Sequence, residues 1–114
     1  MKKTLLIFFL TFCFASASFA HPPSNIKINY IPKENTLAIN FIHQTSNKEQ
    51  HYIREIKIRV NDEEEKIVDY TCQDETGDVT KKIPMKLKAG DTMNVEIYCN
   101  KGGVGKATFV VSEK

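Results

Sequence analysis

From Asn25 onward the chain is built of short runs in which apolar residues recur at every second position, each run closed by turn chemistry. Leu37, Ile39, Phe41 and His43 share one parity, as do Ile56, Ile58 and Val60, then Val68, Tyr70 and Cys72, then Met93, Val95, Ile97 and Cys99, and finally Phe109 and Val111. Successive side chains of a strand point to opposite faces, so this period describes strands with one buried and one wet face. Pro32-Lys33-Glu34-Asn35, Asn61 to Glu65, Gln73 to Asp78, Lys88-Ala89-Gly90-Asp91 and Asn100 to Gly105 supply the breaks, and Pro84 stands late in the run that starts at Val79. No window repeats its apolar residues at helical spacing over three turns. Seven such runs predict an all-β fold, a seven-stranded immunoglobulin-like antiparallel β-sandwich. Leu37, Ile39, Phe41, Ile56, Ile58, Val68, Tyr70, Val95, Ile97 and Phe109 are its expected core.

The first twenty residues obey a different rule. Lys2 and Lys3 precede an apolar run from Thr4 to Phe14, and small residues stand at Ala15, Ala17 and Ala20. That order is a bacterial secretory signal with a small-residue cleavage site, and its apolar run is too short to cross a hydrocarbon layer of about 30 Å. The expected division is a signal peptide over 1–20 and one domain over 21–114 that begins at His21 and works in the periplasm or outside the cell. Two of the 16 Lys and Arg belong to the leader, so 14 basic residues face 14 acidic ones in the domain. Zero net charge without a long basic run leaves no electrostatic footprint for nucleic acid. No segment after Ala20 has the length of a membrane helix.

Three histidines and two cysteines carry whatever chemistry the domain has. His43 closes one expected strand and His51 opens the next, so a hairpin between the two would put both imidazoles at one end of the sandwich. Cys99 ends a later strand and meets them if that strand runs toward the same rim, while His21 sits on the amino-terminal stretch. Imidazole and thiolate together suit a borderline transition metal: iron, zinc or copper. The cysteines admit a second interpretation. Cys72 and Cys99 both fall on expected inward faces, and in an oxidising compartment such a pair forms an inter-sheet disulfide worth about 3 kcal/mol on the chain-entropy model. Cys99 cannot serve both roles, and spacing leaves both open.

The stretch His43 … His51-Tyr52-Ile53-Arg54-Glu55-Ile56, followed by Tyr98-Cys99-Asn100-Lys101-Gly102-Gly103, resembles the iron-binding domain of desulfoferrodoxin and the superoxide reductases. His21-Pro22-Pro23-Ser24-Asn25-Ile26 is similar to that family's first ligand segment, and Lys88-Ala89-Gly90-Asp91 stands where the family turns into its cysteine strand. The resemblance spans nearly all of 21–114. It implies a mononuclear ferrous centre with four histidines in a plane and an axial cysteine thiolate, which gives one electron to superoxide and releases peroxide. Carried over by position, the ligands are His21, His43, His51 and Cys99, with a small oxygen species and a periplasmic redox protein as the implied partners. Gly102 stands where the family has its fourth histidine, the loop between His43 and His51 is longer than is typical, and no Glu-Lys pair precedes His21. A domain beginning at His21 would also offer that residue's α-amine beside its ring, a chelating pair associated with copper.

His51-Tyr52-Ile53, Ala89-Gly90-Asp91 and Asn100-Lys101-Gly102 are similar as well to the β-sandwich subunit of the periplasmic thiosulfate-oxidation carrier. That resemblance implies a non-catalytic binding module without metal, compatible with a Cys72–Cys99 disulfide.

Overall fold

In the computed structural model, which describes residues 21–112, seven strands form two antiparallel sheets. The strands are β1 (Ser24–Ile31), β2 (Thr36–His43), β3 (Ile53–Val60), β4 (Glu64–Asp69), β5 (Gly77–Pro84), β6 (Thr92–Cys99) and β7 (Val104–Val110). A single 3-10 turn, Pro32–Glu34, joins β1 to β2. One sheet has the order β1-β2-β5 and the other β4-β3-β6-β7. Among the described residues no helix is long and apolar enough to cross a membrane.

The alternation read from the sequence is the alternation of burial. Leu37, Ile39 and Phe41 of β2 and Met93, Val95 and Ile97 of β6 are buried, with the intervening residues half-exposed. Ile56 and Ile58 from β3, Val79 and Ile83 from β5 and Tyr30 from β1 join them in one cluster between the sheets. Val68, Tyr70 and Phe109, expected in the core, pack against it only partly buried. Val68 and Phe109 lie on β4 and β7, the outer strands of the four-stranded sheet, and Tyr70 lies just beyond the end of β4.

Side-chain bonds close the fold where the chain passes between sheets. Tyr30 Oη donates to the Met85 carbonyl at 3.0 Å and accepts the Leu87 amide at 2.9 Å, clipping β1 to the segment that leaves β5 for β6. Asp91 accepts the Lys88 amide at 2.8 Å and the Asn61 side chain at 3.0 Å, and these bonds hold its carboxyl below the usual range. The turn between them needs Gly90 at φ 90°, a conformation that carries no penalty without a Cβ.

Sequence expectations are corrected at three points. The strand expected over Lys66 to Cys72 ends at Asp69, and the bend beyond it turns Cys72 out to solvent and Gln73 inward. Both cysteines of the described region are free, Cys72 exposed and Cys99 buried, so the inter-sheet disulfide does not form. Nor do β2 and β3 pair as a hairpin: they belong to different sheets, and the loop between His43 and Ile53 crosses from one to the other.

Candidate metal centre

Register brings the chemistry-bearing residues to one rim. His43, last in β2, pairs with Gly77, first in β5. Cys99, last in β6, pairs with Ile53, first in β3. The start of β1 lies beside the end of β2, with Ser24 opposite Ile42. Thus the amino-terminal segment, the loop before β3, the segment before β5 and the turn after β6 all collect at that end. His43 extends the inward parity of Leu37, Ile39 and Phe41, so its ring continues the core and is only 1% exposed. Cys99 does the same for Met93, Val95 and Ile97 and is 2% exposed.

Here the three histidines converge. Ring centroids are 4.8 Å apart for His43 and His51, 5.4 Å for His21 and His43, and 5.3 Å for His21 and His51. One ring nitrogen from each can be chosen so that all lie within 4.8 Å of one another. Metal–nitrogen bonds of about 2.0–2.1 Å allow donors at most about 4.2 Å apart, so the group needs a closure of about 0.6 Å to share one ion. Cys99 falls outside this set of mutually close donors although it ends in the adjoining turn. Its Sγ accepts the Lys101 amide at 3.4 Å.

Two ring nitrogens of the group are unsatisfied. His43 Nε2 and His51 Nε2 are buried and have no hydrogen-bond partner. A buried polar group without a partner costs roughly 1–3 kcal/mol, so two on neighbouring rings call for something that binds them. Burial holds both rings below the ordinary value near 6.5, opposing the bond to Gln73 that acts upward on His43, and neighbouring His21 adds to the lowering of each. Neutral imidazole is the form that binds a metal ion. The donor set therefore fits a borderline divalent metal.

Two side-chain amides frame the rings. Asn100 accepts the Tyr52 amide at 2.9 Å through Oδ1 and donates to the Gln50 carbonyl at 2.9 Å through Nδ2, gripping both neighbours of His51. Its own backbone amide donates to the Tyr52 carbonyl at 2.9 Å. Gln73, 3% exposed, bonds His43 Nδ1 at 2.8 Å. Sequence reasoning saw Gln73 and Asn100 as turn residues, and Asn100 also as part of a resemblance, because an amide in a turn has no spacing signature that marks it as a support for a ligand. Gly102, at φ 109°, donates its amide to the Cys99 carbonyl at 3.0 Å and adds no side chain to the rim.

Fold and site define a small β-sandwich whose rim carries a candidate mononuclear metal centre. The profile of the desulfoferrodoxin family matches residues 19–108, and the chain belongs to that family. Solved structures similar to it include the superoxide reductase (neelaredoxin) of Ignicoccus hospitalis, at 18% identity, covering 82% of this chain and 81% of that one with a TM-score of 0.46. A point variant of the same protein gives 19% identity, coverages of 83% and 82%, and a TM-score of 0.47. No curated protein matches the chain.

Proposed function

We propose that this is an exported metal-binding protein of the superoxide-reductase type, released by cleavage after Ala20, in which His21, His43, His51 and Cys99 hold a single iron ion. The pair of buried, unpartnered ring nitrogens on His43 and His51 is the observation that carries the proposal. His43 and His51 would each offer Nε2, and His21 would close the set from the amino-terminal segment. Cys99 would join by losing its thiol proton on binding the metal, which requires its sulfur to move into the group. An iron ion held by these residues would supply one electron, which with superoxide and two protons from solvent would give hydrogen peroxide, and a one-electron donor protein of the same compartment would restore it. The exposed Lys101 ammonium, close enough to depress His51, gives the rim a positive charge for an incoming anion. Gly102 supplies no fourth imidazole, so turnover should be slower than at a centre with four.

Anaerobic titration of the exported protein with ferrous iron, zinc and copper tests this directly. One ion per chain is expected, with binding abolished in His43→Ala and His51→Ala. Mixing the iron-loaded protein with superoxide should then oxidise one iron per chain. Failure to bind any of the three metals, or binding undiminished by both substitutions, would sink the proposal.

A further inference from the structure

We infer that Gln73 is a positioning residue that locks His43 as its Nδ1–H tautomer, so that Nε2 presents its lone pair to the three-histidine group. The tautomer follows from geometry, whereas its consequence for metal rests on the function proposed above. Gln73 Nε2 lies 3.0 Å from the His43 carbonyl and 2.7 Å from the Glu75 carbonyl. Both are acceptors only, so this atom of the amide must be the donating nitrogen. Its partner Oε1 is then an acceptor, and it already receives the Ile53 amide at 3.1 Å. His43 Nδ1, 2.8 Å from the same oxygen, must therefore be protonated. In a neutral ring that leaves Nε2 bare, and Nε2 is the atom found buried without a partner.

The same oxygen also sets the distance between ligands. It ties the end of β2 in one sheet to the first residue of β3 in the other, and Ile53 lies two residues after His51. Gln73 thus orients one ring and anchors the strand that begins two residues after the second. Few other side chains meet these demands. An ionised Glu would set an oxygen against two carbonyls, and Leu would leave the Ile53 amide and two carbonyls without their bonds. Such outer-shell partners of ligating histidines typically change metal affinity by 10–100-fold.

The test begins with long-range nitrogen–proton correlation spectra of the 15N-labelled, metal-free protein above pH 7. His43 is expected with a protonated Nδ1 and a bare Nε2; a protonated Nε2 overturns the inference whether or not any variant folds. Gln73→Leu is expected to retain its β circular dichroism, lose the single tautomer at His43, and bind zinc about 10–100-fold more weakly. An unchanged tautomer, or unchanged zinc affinity with wild-type binding intact, overturns the positioning role and leaves the metal centre standing. Locked His43 in wild type, released in Gln73→Leu, with no metal bound by either, upholds the positioning role and overturns the proposed function instead.

Discussion

Gly105→Ala should separate the site from the fold. Gly105 lies in β7 where the amino-terminal segment presses on it: an added Cβ would stand 2.8 Å from the Pro23 carbonyl oxygen and 3.0 Å from both Pro23 Cγ and Ile26 Cδ1. Ordinary contact begins near 3.4 Å, so Pro23 must retreat by about 0.6 Å. Such overpacking costs about 1–3 kcal/mol, and replacing glycine by alanine within a strand returns about 0.5–1. The net loss, about 1 kcal/mol, should lower Tm by about 4–8 °C in a domain of this size. The effect on the site is larger in proportion. His21 is two residues before Pro23, and the three-nitrogen group must already close by about 0.6 Å, so a shift of similar size at Pro23 disturbs that closure. Zinc affinity should fall at least about tenfold, equivalent to about 1.4 kcal/mol, measured by calorimetric titration beside a thermal melt. His21→Ala should show the same loss of affinity with no change in melting. Full affinity in Gly105→Ala, with the expected drop in Tm, would refute the idea that the β1–β7 contact holds His21 in the group.

Other outcomes follow from the same geometry. Because burial lowers His43 and His51 in the native state, and His21 and Lys101 oppose charge there too, the unfolded chain binds more protons below about pH 6.5. Metal-free stability should be full above that pH and fall as pH drops below it; a urea midpoint unchanged between pH 7.5 and 5 would contradict this. Under native, metal-free conditions a thiol reagent should label Cys72 quickly and Cys99 only on unfolding, since the first is exposed and the second 2% exposed. Asn100→Ala removes the two side-chain bonds that grip Gln50 and Tyr52, and should cost about 1–2 kcal/mol in denaturant melts together with metal affinity.

The sandwich was legible because each strand has one dry face, and a single parity carries Leu37, Ile39 and Phe41 through to His43 and Met93, Val95 and Ile97 through to Cys99. Those two runs foretold that a histidine and a cysteine would end up inside, at strand ends. Parity failed where a strand stopped early. Beyond Asp69 the bend shifts the chain by one position, so Gln73 takes the inward place that unbroken alternation gives to Cys72. A disulfide expectation and a missed amide share that single cause. The meeting of His43 and His51 was foreseen through a hairpin that does not exist; a loop crossing between sheets achieves the same juxtaposition. Local spacing could show that the two were neighbours along the chain, but not which sheet received each strand.

His21 brings a question of chemistry that its ring alone does not raise. Export with cleavage after Ala20, proposed above, would turn its nitrogen from an amide into a primary amine, and the amine and the ring of one residue can chelate one ion together. That would restore by number the ligand missing at Gly102. Added nitrogen ligation benefits copper more than iron, because affinities at such sites rise toward copper along the first-row series. An amide nitrogen must lose its proton to bind and is a far poorer donor, so one extra residue ahead of His21 removes the amine contribution and spares the imidazole. Protein starting at His21, verified by mass, should therefore bind copper at least about tenfold more tightly than protein starting with an additional Gly, while the two should differ much less for ferrous iron. The ratio between the two metals matters more than either affinity, since a merely displaced His21 would weaken both alike. Equal copper affinity for the two starts would show that His21 contributes its ring and nothing else.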